Sequence, residues 1–206
     1  MKIGLDFDNT IVCYDTLFHK VAIEKALIPS ELPRNKIAVR DYLKKIDKEK
    51  VWTELQGYVY GERMNEATPY PGMVDALISL KKQGHELIIV SHKTQFPYEG
   101  IQYDMHASAN KWILDKLNYL DFELIKHKNV FFNKTKSEKI LKIKNLECNI
   151  FLDDLPEILL AEDFPESTKR CLFDPGRNYR ELDGDTINVH HSWDSFSNWV
   201  LSDGCK

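Results

Sequence analysis

The sequence predicts an α/β fold: a doubly wound, Rossmann-like parallel sheet core with a small helical cap inserted after the first strand. Three observations predict it. Short apolar runs alternate with stretches of helical periodicity, several of those runs stop at an acid or a hydroxyl, and the first two runs are separated by far more helical sequence than one crossover needs.

The elements follow in order. Lys2 to Leu5 carries Ile3 and Leu5 and ends in the acidic cluster Asp6, Phe7, Asp8, Asn9, Thr10, as a buried strand does at a sheet edge. From Tyr14 to Asn65 the pattern is helical. Leu17, Val21, Ile23 and Leu27 share one spacing, Pro29 and Pro33 break the chain, and further helical stretches cover Ile37 to Ile46 and Val51 to Tyr60. Pro69, Tyr70, Pro71 and Gly72 mark a boundary. Met73, Leu77 and Leu80 then line one helix face that stops at Gly84, and Leu87 to Val90 is a strand ending at Ser91 and His92. Next come a helix over Met105 to Tyr119, a strand over Val130 to Phe132, a helix over Thr135 to Asn145 and a strand over Asn149 to Leu152. Leu155 to Glu162 reads as a helix, Arg170 to Phe173 and Thr186 to Val189 as edge strands, and Ser192 to Leu201 as a closing helix. The expected division is a core of 1–12 and 71–206 with a helical cap over 13–70.

A chain of 206 residues, 43% hydrophobic and 29% charged, is long enough to bury one substantial core. Its net charge of -4 supplies no broad positive field, which argues against binding a nucleic acid polymer or an anionic membrane. Cys13, Cys148, Cys171 and Cys205 form neither a CxxC pair nor a dense disulfide pattern and read as free thiols. With neither a signal-peptide profile nor a membrane-length apolar stretch, the expected location is cytoplasmic.

In open parallel sheets ligands bind beyond the carboxyl ends of the strands, so the residues there carry the chemistry. The first strand delivers Asp6 and Asp8, the second Ser91, and the fourth Asp153 and Asp154. The third leads into a helix start bearing Lys134, Lys136 and Lys139. Four carboxylates brought together repel one another and raise one another's pKa, and a hard cation relieves this. Mg²⁺ fits: it takes one or two carboxylates and fills its remaining positions with waters and phosphate oxygens.

DFDNT at 6–10, IIVS ending at Ser91, a lysine at a helix start and IFLDD at 150–154 occur in the order of the four motifs of the haloacid dehalogenase superfamily, which the chain resembles over essentially its full length, with a cap of the C1 type. The resemblance implies a Mg²⁺-dependent phosphatase acting on a small phosphomonoester. Asp6 would attack phosphorus to form an aspartyl-phosphate. Asp8 would serve as acid and base and turn its backbone carbonyl to the metal. Ser91 would bind a phosphoryl oxygen, and the motif lysine would neutralise charge on Asp6 and the transferring group. Lys139 is favoured as that lysine because Ile140, Ile143 and Leu146 then supply the buried helix face, with Lys136 as its rival. Asp6, Asp8, Asp153 and Asp154 form the expected metal set, Asp154 aligning better with the metal-contacting position. Ser91, His92, Asn9 and Thr10 are the expected substrate contacts. Nucleotides and sugar phosphates both suit such a site. A phosphotransferase or phosphomutase, or a non-catalytic phospholigand-binding module, remain alternatives on the same fold.

Other features read as ordinary structure. Thr10 can cap the following helix, Lys93 beside His92 can point into the cleft, and Trp52, Phe18, Tyr58 and Tyr60 read as cap core. His190 and His191 are adjacent strand residues facing opposite sides, which makes joint ligation of a metal unfavourable. Arg40, Arg63 and Lys20 of the cap are either substrate contacts or solvated charges.

Overall fold

The computed structural model describes residues 1–119, 122–184 and 186–202. In chain order its elements are β1 (Lys2–Leu5), β2 (Val12–Cys13), α1 (Asp15–Glu24), α2 (Lys36–Lys45), α3 (Glu49–Tyr60), β3 (Thr68–Pro69), α4 (Met73–Lys82), β4 (Glu86–His92) and α5 (Met105–Leu117). They continue with β5 (Asn118–Tyr119), β6 (Phe122–Glu123), β7 (Val130–Asn133), α6 (Lys136–Asn145), β8 (Ile150–Asp153), α7 (Pro156–Leu159), β9 (Lys169–Phe173), β10 (Ile187–His190) and α8 (Trp193–Ser202).

Six strands form one parallel sheet in the order β10-β9-β8-β1-β4-β7. The chain moves outward from β1 through β4 to β7, then returns to the other side of β1 and moves outward through β8, β9 and β10. The direction of winding therefore reverses between β1 and β8, and the crevice at such a reversal is where open α/β sheets bind ligands.

Side-chain alternation along the central strands explains why both faces are covered. Ile3 and Leu5 of β1, Leu87 and Ile89 of β4, and Ile150 and Leu152 of β8 join one apolar cluster with α4, α5 and α8. Ile88, Val90 and Phe151 join a second cluster with Ile140 and Ile143 of α6 and Ile158 and Leu159 of α7. Gly4 separates Ile3 from Leu5 because a Cβ there would come within 2.9 Å of Phe151 Cε2.

The cap joins the first of these clusters. Its three helices lie between β2 and β3, a short antiparallel pair with Val12 opposite Pro69 and Cys13 opposite Thr68. Phe18 and Val21 of α1, Val39 and Leu43 of α2, and Trp52, Leu55 and Val59 of α3 share a continuous core with Ile3 and Leu5 of the sheet. The expected α1 face is corrected in one position: Ile23 is 37% exposed, and Ile28 takes the buried place beside Leu17, Phe18, Val21 and Ala22. Spacing of four from Leu17 and Val21 runs past Ile23, so its side chain falls on the solvent side.

Local chemistry sets several element ends. Asn35 caps α2 by accepting from the Ala38 amide at 2.7 Å, and Asp104 caps α5 by accepting from the Ala107 amide at 2.8 Å. Thr135 and Glu138 form a capping box at the start of α6. α7 ends at Leu159, earlier than expected, and Phe164 turns inward from the following turn to pack its ring 6.4 Å from that of Phe151. α5 likewise stops at Leu117, where Asn118 takes over the chain direction by bonding both the amide and the carbonyl of Ile125. Cys13, Cys148 and Cys171 are free thiols, and Cys205 lies outside the described residues. Among the described residues no helix is long and apolar enough to cross a membrane.

Candidate active site

The turn after β1 brings Asp6 and Asp8 to the reversal point. The Asp6 amide donates to Leu152 O at 2.9 Å, which ties the strand end to β8, and the amides of Ile11 and Val12 return to Phe7 O at 3.1 and 3.0 Å. Closing this turn requires a left-handed residue, and Asn9 supplies it with φ 61°. Phe7 anchors the turn, its ring 5.6 Å from Trp112 and 6.1 Å from Phe132.

Lys139 reaches the same point from α6. Its buried ammonium lies 2.6 Å from Asp6 Oδ1 and 2.7 Å from Asp153 Oδ2. Lys136, its rival in the sequence, is half-exposed and pairs with Glu157 at 3.0 Å. The two lysines lie one helical turn apart: Lys136 is the first residue of α6, and Lys139, a turn further in, is buried with Ile140 and Ile143.

Asp6, Asp153 and Asp154 offer carboxylate oxygens that all lie within 4.8 Å of one another. Burial pushes the Asp153 carboxyl up to about 7, against the opposing pull of Lys139, and the Asp6 charge adds to the rise. Asp154 is driven well above the usual carboxylate range by burial and by the Asp6 and Asp153 charges. Lys139 is held above its ordinary value because Asp153 and Asp6 outweigh the effect of its burial. A single ammonium therefore faces three clustered carboxylates. This all-oxygen donor set fits a hard divalent cation such as Mg²⁺.

Asp8 belongs to a different arrangement. Lys93 Nζ donates to both of its oxygens, at 3.0 and 2.9 Å, and the Tyr14 hydroxyl donates to Oδ1 at 2.6 Å. Burial would raise the Asp8 carboxyl, but Lys93, then Tyr14, and to a lesser degree Lys36 outweigh it and hold it below its ordinary value. Lys36, the first residue of α2, bonds Asn9 Oδ1 at 3.2 Å and lies 5.5 Å from the centre of the Tyr60 ring. The site thus sets four carboxyl groups against the ammonium groups of Lys139, Lys93 and Lys36, and a divalent cation there would favour the charged forms of Asp153 and Asp154.

The remaining expected residues take varied places. Ser91 is buried on β4, the strand beside β1, and its hydroxyl has no protein partner. His92 is half-buried and its Nε2 meets Lys134 O at 3.0 Å. Thr10 is fully buried, with its hydroxyl unpartnered and its carbonyl accepting from Trp193 Nε1 at 3.1 Å. Thr10 does not cap α1, which starts at Asp15 behind Tyr14 and has no side-chain cap, because four further residues of turn and strand intervene. His190 packs on Phe196 and Trp199 while His191 Nδ1 meets Asp174 O at 2.7 Å, so the pair has separate partners. Arg63 pairs with Glu24 and Glu66, Lys20 with Glu66, and Arg40 with Asp41, all on the outer surface of the cap. Tyr60 packs on the cap core as expected, its ring 4.9 Å from that of Tyr14 and 5.5 Å from that of Phe18, and also lines a cavity of about 170 Å³ beside Asp8, together with Gln56, His92, Lys93 and Tyr98. Lys36 and Tyr14 have no signal in the sequence as site residues.

This architecture defines a class: the chain has the fold of haloacid dehalogenase superfamily hydrolases. A HAD-superfamily hydrolase from Ehrlichia chaffeensis superposes with TM-score 0.57 at 11% identity, covering 97% of this chain and 95% of that one. A phosphoserine phosphohydrolase-like protein from Francisella tularensis subsp. tularensis SCHU S4 superposes with TM-score 0.61 at 16% identity, covering 97% and 100%. In sequence, a Bacillus cereus protein named "Putative nucleotidase" is 26% identical over 166 residues, 77% of this chain and 79% of its own length. No family model matches the chain.

Proposed function

We propose that the protein is a Mg²⁺-dependent phosphatase that hydrolyses a small phosphomonoester, with Asp6 as nucleophile. The observation that carries this reading is Lys139, 2.6 Å from Asp6 and 2.7 Å from Asp153 at the point where the sheet reverses. Asp6 lies in direct contact with the Lys139 ammonium, and a carboxylate so placed can attack phosphorus to give an aspartyl-phosphate and release the alcohol. Ser91, a buried hydroxyl with no protein partner, suits a phosphoryl oxygen, and Lys139 meets the charge that develops on the transferring group. Asp6, Asp153 and Asp154 would hold the Mg²⁺ with the Asp8 backbone carbonyl. When bound, the ion supplies charge neutralisation and orientation of the phosphoryl group.

Asp8 would pass its proton to the departing alcohol and then take one from the attacking water. In the resting protein it is the partner of Lys93, so the donor step requires that pair to loosen and Asp8 to take up a proton first, from the Lys93 ammonium or from the entering phosphate monoanion. The cap, taken as 13–70 on a core of 1–12 and 71–206, places Tyr14, Lys36 and Tyr60 over the floor of the site and would exclude water from it. The free thiols of Cys13, Cys148 and Cys171 suit a cytoplasmic setting. Nucleotides are a reasonable first substrate class to try, given the name of the Bacillus cereus relative.

The test is phosphate release from a panel of phosphomonoesters with and without Mg²⁺. Asp6→Asn is expected to reduce kcat by about three orders of magnitude or more. Turnover unchanged by chelation of the metal, or by Asp6→Asn, would overturn the reading. Phosphate passing to an added alcohol faster than to water would identify a transferase instead.

A further inference from the structure

Resting on the phosphatase reading, the cavity beside Asp8 indicates what kind of group leaves. It lies between α3 and the segment after β4, and its volume is about 170 Å³, below the range of pockets that enclose a whole drug-sized ligand. Thr53, Gln56 and Tyr60 wall it from the cap, and Pro97, Tyr98 and Met105 from the core. The close approach of the two walls depends on Gly57, where a Cβ would stand 2.7 Å from Pro97.

Charge narrows the choice further. Among the described residues Lys93 is the only lysine or arginine lining the cavity, and both oxygens of Asp8 already hold it, at 3.0 and 2.9 Å. Lys139 is held by Asp6 and Asp153, and Lys36 bonds Asn9 outside the cavity wall. A second phosphate or a carboxylate on the leaving group would enter beside the Asp8 carboxylate, and the one ammonium in the cavity wall among the described residues would have to leave Asp8 to receive it. Moving a charge out of water on those terms is costly. The walls instead offer two tyrosine rings, a proline and a thioether; of the polar groups, His92 and Thr94 bond Lys134 O and Phe96 O, the Thr53 hydroxyl donates to Glu49 O and is left to accept, and the Gln56 amide can do both. Tyr98 is 80% exposed at the mouth, leaving its ring free to lie against a bound one.

We propose that this cavity takes an uncharged leaving group built on a single flat ring, that Gln56 and Thr53 hydrogen-bond the edge of that ring, and that phosphomonoesters bearing a second anionic group are selected against.

The test compares kcat/KM of the Mg²⁺-loaded protein for phenyl phosphate and benzyl phosphate with that for phosphoglycolate and fructose 1,6-bisphosphate. The first pair is expected to be favoured about tenfold or more. Gln56→Lys, which places an ammonium in the cavity, should move the ratio toward the doubly charged substrates by about tenfold, with Thr53→Lys as a second variant should the first fail to fold. Equal or faster turnover of the charged pair by the unaltered protein, or a ratio unmoved by both folded variants, overturns the proposal while leaving the phosphatase reading standing. Absence of turnover across the whole panel overturns the phosphatase reading, and the cavity is then read by calorimetry on the Asp6→Asn protein with Mg²⁺. Tighter binding of phenyl phosphate than of phosphoglycolate supports the proposal, and equal or weaker binding overturns it.

Discussion

The Lys93 ammonium lies 3.0 Å from one carboxylate oxygen of Asp8 and 2.9 Å from the other, closing an ion pair between the strand end of β1 and the segment after β4. The Lys93 side chain is 2% exposed and that of Asp8 18%, so water screens the pair only weakly. The two residues lie 85 positions apart in the chain, and each fixes where the other can go.

Lys93→Met should therefore destabilise the protein by about 3 kcal/mol, the low end of the range for breaking a buried pair by removing one partner, since Asp8 keeps some exposure. The Lys93→Met/Asp8→Asn double variant should regain part of the loss, because no unpaired carboxylate remains. Folding lowers the Asp8 carboxyl, so the stability due to the pair is present above the unfolded value of about 3.9 and is lost as pH falls through the lower folded value. Urea unfolding at pH 7 and pH 3 measures this. A gap between wild type and Lys93→Met that is as wide at pH 3 as at pH 7 would contradict the pairing.

The two lysines at the start of α6 should respond differently to the same change. Lys139→Met leaves Asp6 and Asp153 buried without their shared ammonium, at an expected cost of about 3–5 kcal/mol and with loss of turnover. Lys136→Met removes a half-exposed pair with Glu157, expected to matter by less than about 1 kcal/mol. Thermal melts of both variants, with activity measured beside them, check the assignment. Equal effects would undo it.

Magnesium should stabilise the protein more at high pH than at low. Burial raises the Asp153 carboxyl to about 7, and Asp154 is raised as well. The folded state then binds more protons than the unfolded one, so stability of the metal-free protein falls as pH rises from about 4 toward 7. A divalent cation takes the place of those protons, and at one hundred times its Kd adds about 2.7 kcal/mol. Melting temperatures at pH 5.5 and pH 8, with Mg²⁺ and with a chelator, should show the larger metal-induced rise at pH 8. The same rise at both pH values, or none, would count against Asp6, Asp153 and Asp154 as the metal set.

What the sequence made legible was set by strand ends. Asp6, Asp8, Ser91, Asp153 and Asp154 follow or close apolar runs whose period defines a buried strand, so the parallel sheet brings them to one end of its strands. Lys139 was legible through Ile140 and Ile143, which orient its helix. Lys93 was legible by its place after Ser91 and His92, but Tyr14 and Lys36 depend on how the cap settles on the sheet, and a local pattern holds no record of that. The pair of β2 with β3 has two residues a side, too few for a period to show. Ile23 was misplaced because an apolar residue one position off the face of α1 looks like a member of it until the packing is seen.

The docking of the cap helix α3 on the segment after β4 rests on two glycines four residues apart, which places them on one helix face. A Cβ at Gly57 would stand 2.7 Å from Pro97, and one at Gly61 would overlap Tyr103 Cβ and stand 2.8 Å from its Cγ. Gly61→Ala should cost about 1–3 kcal/mol through overpacking, or push the segment of Tyr103 away from the helix. The cavity beside Asp8 lies between the same two elements, so the second response would widen it and raise KM more than it lowers kcat. Gly84→Ala separates this from a general loss of stability. Gly84 has φ 81° with nothing within 4 Å of an added Cβ, so its replacement strains the backbone by about 1–2 kcal/mol without touching the cavity. A raised KM in Gly61→Ala with an unchanged KM in Gly84→Ala is the expected pair of results. A matching rise in both would show that the contact does not shape the site.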